Sequence, residues 1–451
     1  MNANNLNIWE RQAEAGERLA PAFGFLVIAA AALWVLEFLW ALWAAPAAAE
    51  GFAIYSQGAR GAALSGTVLA REPDAGALAH NPALLTALQS DSVSFGVTVI
   101  ATKGGVDWEL GGRRGRTPSA RGLWFIPHAF FNYRLSDRWV LGIGEFSRFG
   151  LGNEYPPDWP GRFNMYDVQL ATSSLNAALA FKATDRLSLA AGLELTYASM
   201  SLRNRTLFPV PNVGVAEVDV SVEKARDLAV GFGLSGRYLL GDRWAFGVHY
   251  RSKERVRAKG HASFAYVGPD DPILKGAFDA TFRDGSVRGV ITLPESLAAG
   301  LSFAPNARLS VEAGLVWTRW SRYASLDLEL PGGLPPSVNP KNWRDNVRFA
   351  VGVEYSPLDW LDLRAGYSYT QSPMTAGNAD YTVPTDGRRS YSLGLGASGG
   401  NWTADLSYEL IDCVGREYAA SPLDAGGNGT TRSKGTGVMG HEATFTLTYR
   451  F

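Results

Sequence analysis

Cysteine is all but missing from this 451-residue chain. Cys413 stands alone, so no disulfide can form within the chain and no cysteine cluster can hold a metal. Histidine is also scarce. His80, His128, His249, His261 and His441 are scattered singly, and none makes a ligand pair at helical or strand spacing. Neither sign of charge is in excess. The formal net charge of -1 excludes a polybasic nucleic-acid or membrane-surface binder. A mean hydropathy of -0.06 excludes a polytopic helical membrane protein, but not a β-barrel, whose strands hide an apolar face behind a polar one. A phosphate loop of Walker type and a calcium loop of alternating carboxylates are both missing. Ser398, in "GASGG", has the spacing of a nucleophile elbow. It falls in a predicted β-hairpin, whereas an elbow needs a strand-to-helix turn. No enzyme, cofactor or metal is expected.

One long apolar run is present, "PAFGFLVIAAAALWVLEFLWALWAAPAAA" over residues 21–49. Arg11 and Arg18 precede it, and Ala47-Ala48-Ala49 ends it in an A-x-A pattern. The run reads as a signal peptide, residues 1–49, cut after Ala49. Glu37 interrupts it, and its length also suits a retained transmembrane helix.

Beyond residue 90 the chain alternates with period two. In "HEATFTLTYRF", Ala443, Phe445, Leu447, Tyr449 and Phe451 share one face, while Glu442, Thr444, Thr446, Thr448 and Arg450 share the other. The same pattern recurs over residues 187–197, 228–235 and 402–410. Tight Asp/Asn/Gly turns lie near 135–142, 183–190, 240–247, 304–312, 356–364 and 398–406, each followed by an apolar or aromatic residue. Long irregular segments alternate with them, near 102–122, 149–165, 203–225, 253–290, 321–343, 371–388 and 414–438. Short and long connections in alternation are the pattern of an outer-membrane barrel of about fourteen antiparallel strands over residues 91–451. Trp139, Trp244, Trp360 and Trp402 follow short turns, so they belong to one aromatic girdle.

A barrel of that strand number leaves a channel unless something fills it. Residues 50–90 are small, apolar and broken by glycine, which suits short helices. Within them Asn81 is a good N-cap for a helix begun at Pro82. The expectation is an all-β barrel with an N-terminal helical hatch over 50–90, in which Asn81-Pro82-Ala83 fixes a turn-to-helix junction. The bland alternative is an ordinary helix start.

Several blocks then stand in a recognisable order: "GARGAALSG", "DAGALAHNPALL", "FGLGNEY" with "WPGRF", "SSLNAALAFKATDRLSLAAGLELTYA", "LPESLAAGLSFA", "NWRDNVRFAVGVEYSPLDWLDLRAGYSYTQSPM" and a terminal strand ending in Phe451. Over nearly all of residues 50–451 the chain resembles the FadL family of outer-membrane transporters for long-chain fatty acids and hydrophobic aromatics. The resemblance implies fourteen strands, a hatch, and a gap in the wall beside a kinked third strand, with Gly150 at the kink, through which cargo leaves into the bilayer. It implies that Phe149, Leu151, Tyr155, Trp159, Phe163 and Met165 form one wall of a capture groove; the same residues could instead pack the loop's own small core. Asp345, Arg348 and Arg388 lie in matching blocks and are candidates for a polar pocket in the lumen, where charges could equally pair with one another. The chain departs from the family where it reads "PTDGRRS", which leaves Arg388 and Arg389 as alternatives. The partners expected are a hydrophobic small molecule, outer-membrane lipid and lipopolysaccharide, and the barrel-assembly machinery reading Phe451. No nucleic acid is expected, and the protein should be a monomer. A nonspecific diffusion porin and an outer-membrane hydrolase are the rival readings.

Overall fold

The computed structural model describes residues 52–120, 122–375, 380–383, 385–418 and 432–451. The expected cleavage after Ala49 lies outside them. Among the described residues, fourteen strands form the wall: β1 Ser92–Leu110, β2 Gly122–Arg134, β3 Trp139–Phe146, β4 Asp167–Lys182, β5 Leu187–Val210, β6 Gly214–Leu239, β7 Trp244–Arg251, β8 Ser296–Asn306, β9 Leu309–Thr318, β10 Asn346–Leu358, β11 Leu361–Thr370, β12 Thr385–Gly399, β13 Trp402–Gly415 and β14 Arg432–Arg450. Each pairs antiparallel with its neighbours in the chain. β14 pairs back onto β1 from Ser92 beside Arg450 to Glu109 beside Arg432, and the ring is closed. Closure removes every sheet edge, as a strand wall in lipid requires.

The barrel is inside-out relative to a soluble protein. Leu193 and Val230 point outward at 67% exposure, while Ser174 and Thr196 are buried on the inner face and share a 2.8 Å hydrogen bond. The four tryptophans after the short turns are all exposed. Trp139 stacks on Phe181 at 4.4 Å, and Trp244 lies 4.4 Å from Phe303.

All six short turns fall where the sequence puts them. The long segments do not stay irregular. Residues 203–225 are strand, because β5 and β6 run on as a hairpin of 24 and 26 residues. Their many charges disguise the alternation in sequence, yet pair across the ladder: Arg203 with Glu223 and Arg205 with Glu217, both at 2.9 Å. Residues 253–290 likewise hold a strand Glu254–Val267, a helix Pro272–Thr281 and a strand Gly285–Leu293.

Residues 52–88 pack against the inward faces of the wall strands and are largely buried. Their order is short and helical: α1 Gly58–Ala63, α2 Ala77–His80 and a 3-10 helix Pro82–Ala87. Asn81 starts the last of these, as its side-chain oxygen accepts from the Ala83 N–H at 3.1 Å. The turn is 3-10 rather than α. The wall makes room for this segment with glycine. A Cβ on Gly247 would fall on the Leu69 carbonyl, and one on Gly366 would sit 2.7 Å from the Ser65 nitrogen.

Candidate functional site

The seam between β2 and β3 is interrupted. β3 pairs with β2 only from Arg134 beside Val140 to Ala129 beside Glu145. The chain then breaks at Ser147-Arg148-Phe149 and resumes as a strand Gly150–Glu154, which pairs with β4 alone. The far half of β2, from Gly122 to His128, is left with β1 as its only partner. Past the opening, the Ala120 N–H donates to the Glu154 carbonyl at 2.8 Å and closes the seam again. Side chains satisfy the backbone at the break. The Thr172 hydroxyl donates to the Phe149 carbonyl at 2.6 Å, and the Ser147 hydroxyl to the Thr172 carbonyl at 2.5 Å.

The first described residues lie along this break. Ala53 bridges Phe149, with the Ile54 N–H donating to the Arg148 carbonyl at 2.7 Å and the Gly150 N–H to the Phe52 carbonyl at 2.9 Å. The Phe52 ring sits among Trp320, Tyr323 and Trp343 at 4.8, 5.6 and 5.8 Å between centroids. The Arg148 side chain turns inward, donating to Glu194 at 2.9 Å and Glu254 at 3.0 Å.

Beside the break lies a cavity of about 670 Å³. Its lining includes Trp124 and Ile126 from the inner face of β2 and also Leu123 and Phe125 from the outer face, which are 58% and 65% exposed. The lining therefore draws on residues of both faces of β2 at the break. Ile54, Tyr55 and Phe149 continue the apolar lining, and Arg348, Arg388, Glu409 and Glu442 supply charge.

The sequence profile described as "Outer membrane protein transport protein (OMPP1/FadL/TodX)" matches residues 39–413. The chain belongs to this family. Among relatives, a putative outer membrane protein of Neisseria meningitidis serogroup B is 26% identical over 442 residues, spanning 87% of this chain and 92% of that protein. A long-chain fatty acid transport protein of Salmonella typhi is 23% identical over 349 residues, spanning 71% and 77%. Among solved structures, a Pseudomonas aeruginosa FadL homologue superposes with a TM-score of 0.77 at 21% identity, covering 89% of this chain and all of that one. The Pseudomonas putida toluene transporter TodX superposes with 0.70 at 20% identity, covering 88% and 99%. This FadL/TodX-family chain is an outer-membrane β-barrel of fourteen strands.

The residues singled out in this family member fall in three places. Phe149, Gly150 and Leu151 border the cavity, as do Arg348 and Arg388. Tyr155, Trp159 and Met165 are buried in a separate cluster with Val106, Val168 and Tyr381. There the Trp159 ring stacks on Tyr155 at 4.2 Å and its indole N–H donates to the Met165 carbonyl at 2.9 Å. Burial pushes the Tyr155 phenol up from its ordinary range. Phe163 is half-buried under the Arg162 guanidinium, 4.4 Å away. Asp345 is exposed and accepts from the Ser321 N–H at 3.0 Å, away from the cavity. Arg348 donates to the Ser65 carbonyl at 2.9 Å and the Ser368 hydroxyl at 3.0 Å, and lies 5.2 Å from the Tyr55 ring. Gly150 adopts no left-handed torsion, so the break does not need it for backbone freedom. Gly152 is the residue without room for a side chain, because a Cβ there would collide with the Trp124 indole reaching across the opening. Ser398 lies near the β12–β13 turn, its hydroxyl 3.0 Å from that of Thr403.

Two wall carboxylates hold the N-terminal segment, and a third backs one of them through Arg364. Glu354 takes Arg60 at 2.7 and 2.8 Å through both of its oxygens, and Arg364 at 2.6 Å. Glu312 accepts three consecutive backbone N–H groups, those of Leu69, Ala70 and Arg71, at 2.7, 3.0 and 2.8 Å. Asp405 completes the chain by accepting from Arg364 at 2.6 Å. Asn81 does more than cap: its amide donates to the Leu69 carbonyl at 2.6 Å and to the Gly236 carbonyl of β6 at 3.1 Å. Burial lowers the His80 imidazole to about 4, and its Nε2 lies 3.1 Å from the Gln57 carbonyl. Sequence reasoning missed Phe52, Trp124, Arg148, Glu409 and Glu442. Glu409 and Glu442 were visible as acidic residues on inner faces made mostly of Ser and Thr.

Proposed function

We propose that this chain carries hydrophobic molecules, long-chain fatty acids or aromatic hydrocarbons, passively across the outer membrane. Cargo is captured at the extracellular loops, passes to the cavity beside the N-terminal segment, and leaves sideways between β2 and the break in β3. One observation carries the reading: the cavity lining draws on both faces of β2 at the break, which supports a route from lumen to lipid. Each CH₂ kept out of water along such a path is worth roughly 0.8 kcal/mol, which a polar porin lumen cannot offer. Residues 50–90 act as a hatch, and the filled lumen argues against an open diffusion porin. Phe149 and Leu151 form the exit side of the route, with Gly150 between them. Tyr155, Trp159, Phe163 and Met165 brace the loop above it, and Arg348 and Arg388 form the pocket's polar side with Asp345 outside it. The protein works as a monomer in a lipid and lipopolysaccharide bilayer, and Phe451 is the residue offered to the assembly machinery.

The test is uptake of labelled fatty acid, toluene and glucose by a strain lacking the protein, with and without the wild-type chain restored. Restored uptake of hydrophobic probes but not glucose is expected. Equal permeation of glucose would favour a porin, and no gain for any hydrophobic probe would overturn the reading.

A further inference from the structure

The cavity is not uniformly apolar, and its charges are unevenly engaged. Glu409 of β13 and Glu442 of β14 stand directly opposite each other in the ladder, and both side chains border the cavity. They are 6% and 7% exposed. Among the described residues neither forms an ion pair; Glu442 receives one long hydrogen bond, 3.4 Å from the Thr444 hydroxyl, and Glu409 accepts none. Like charges directly across a ladder oppose folding, and a buried carboxylate without a donor is costly. Arg348 and Arg388 attract Glu442 through space, but among the described residues neither forms an ion pair with the two carboxylates. Arg348 is committed to Ser65 and Ser368. Arg388 is itself engaged. Lys103 also lines the cavity, but it sits at the bulge in β1, three residues beyond Ile100, or about 10 Å along the strand from the pair's row.

The ladder also sets a direction. Glu409 lies beside Glu442, Glu442 beside Ile100, and Ile100 beside Trp124. These four form one row across the inner wall, and the row ends at the open edge of β2. Strands are spaced about 5 Å apart, so Trp124 lies about 10 Å from the Glu442 strand. A molecule with its polar end on the carboxylate pair would lay its apolar body over Ile100 and Trp124, with its tail at the opening.

Resting on the transport reading above, we propose that this cavity takes amphiphiles whose polar end donates hydrogen bonds and carries no negative charge, with Glu409 and Glu442 as the acceptors. An alcohol or an ammonium group supplies the missing donors. A fatty-acid carboxylate adds to the negative charge of the pair and is disfavoured. A plain hydrocarbon gains the apolar path without the polar contact.

The test uses the full chain in lipid nanodiscs, with empty nanodiscs as blanks, and equilibrium binding of labelled 1-octanol, n-octylamine, octanoate and octane at neutral pH. Octanol and octylamine should bind roughly tenfold or more tighter than octanoate, the margin expected when a charge-assisted hydrogen bond is exchanged for a repulsion. The double variant E409Q/E442Q, checked for folding by heat-modifiable gel mobility, should lose octylamine's advantage over octanoate while octane binding stays the same. If the double variant does not fold, E409Q alone should shrink that advantage. Octanoate binding to the wild type as tightly as octylamine overturns the proposal, as does an unchanged margin in the folded variant. If octane binds and headgroups make no difference, transport stands and this assignment falls. If none of the four binds above the blanks, the transport reading falls and takes this one with it.

Discussion

The seam between β4 and β5 runs unbroken from Asp167 beside Arg203 to Lys182 beside Ser188, whereas the seam between β2 and β3 holds only from Ala129–Glu145 to Arg134–Val140. The two seams have similar neighbours and the same inside-out alternation. They differ in what satisfies the backbone. In the first, strand answers strand. In the second, hydroxyls of Ser147 and Thr172 and the rung made by Phe52–Ile54 take over, while the Arg148 side chain turns inward to Glu194 and Glu254. An opening in a barrel wall is therefore built by substitution of partners, not by leaving polar groups bare, which lipid would penalise at several kcal/mol per group. It also means that the broken seam, unlike the intact one, depends on the N-terminal segment.

The harshest way to break that comparison is to delete residues 50–90. The filler of the lumen and the rung against Phe149 go together, and planar-bilayer recordings should show large, steady ion conductance where the whole protein shows little. Conductance equal to wild type would mean that the segment does not close the lumen. Next in size is Arg148→Ala. It leaves Glu254 without its ion-pair partner and Glu194 with Arg251 alone at 3.8 Å, and losing one partner of such a cluster costs about 3–5 kcal/mol. Urea unfolding followed by tryptophan fluorescence should show that loss, while Ser199→Ala, beside Ala171 in the intact seam, should leave the midpoint in place. A smaller change is expected for Asn81→Ala. The cap is worth about 1 kcal/mol, and the Leu69 and Gly236 carbonyls lose their donor. Heat-modifiable mobility should match wild type while hydrophobic uptake falls; full uptake would sink the view that this anchor matters to transport.

The mildest effect concerns pH. His80 faces Asp74, Arg251 and Arg348, and burial holds its imidazole at about 4 against an ordinary 6.5. The unfolded segment thus binds a proton that the seated one does not, so seating is strongest above about 6.5 and weakens as pH falls from there to about 4. Conductance of the whole protein should rise over that window, and His80→Gln should flatten the rise. A flat wild-type profile would show that His80 does not govern seating.

Much of the fold was legible because it rests on local signals. Period-two alternation and tight Asp/Asn/Gly turns are readable one segment at a time, and all six turns were placed by them. The helix-like piece at Asn81-Pro82 was legible for the same reason. The hairpin over 203–225 was not, because its charges look solvated until Arg203 meets Glu223 across the ladder. The break was hidden too: Gly150 marked the neighbourhood, but the bonds that hold it come from Thr172 and from Phe52–Ile54, far away in sequence. Tyr155, Trp159 and Met165 could wall a groove or pack the loop's own small core, and sequence could not choose between the two because it does not show which of them face one another. Glu409 and Glu442 became a pair only through the register that brings β13 beside β14.

One contact has a bearing on how the protein is made. The Ala59 N–H in α1 donates to the Thr446 hydroxyl in β14 at 2.9 Å, across 387 residues of chain. The same short segment is held by Arg237 of β6, Glu312 of β9 and Glu354 of β10. Its seat is therefore assembled from strands spread over the whole ring, and it is incomplete until the last strand arrives. A segment that leaves the ribosome before any wall strand docks after all of them. Contacts of such long reach are slow to form, so residues 52–88 must travel unseated while the wall grows. Their makeup of Gly, Ala and a few leucines, with Pro82 and scattered charges, forms no long run of strand-loving residues and suits that wait.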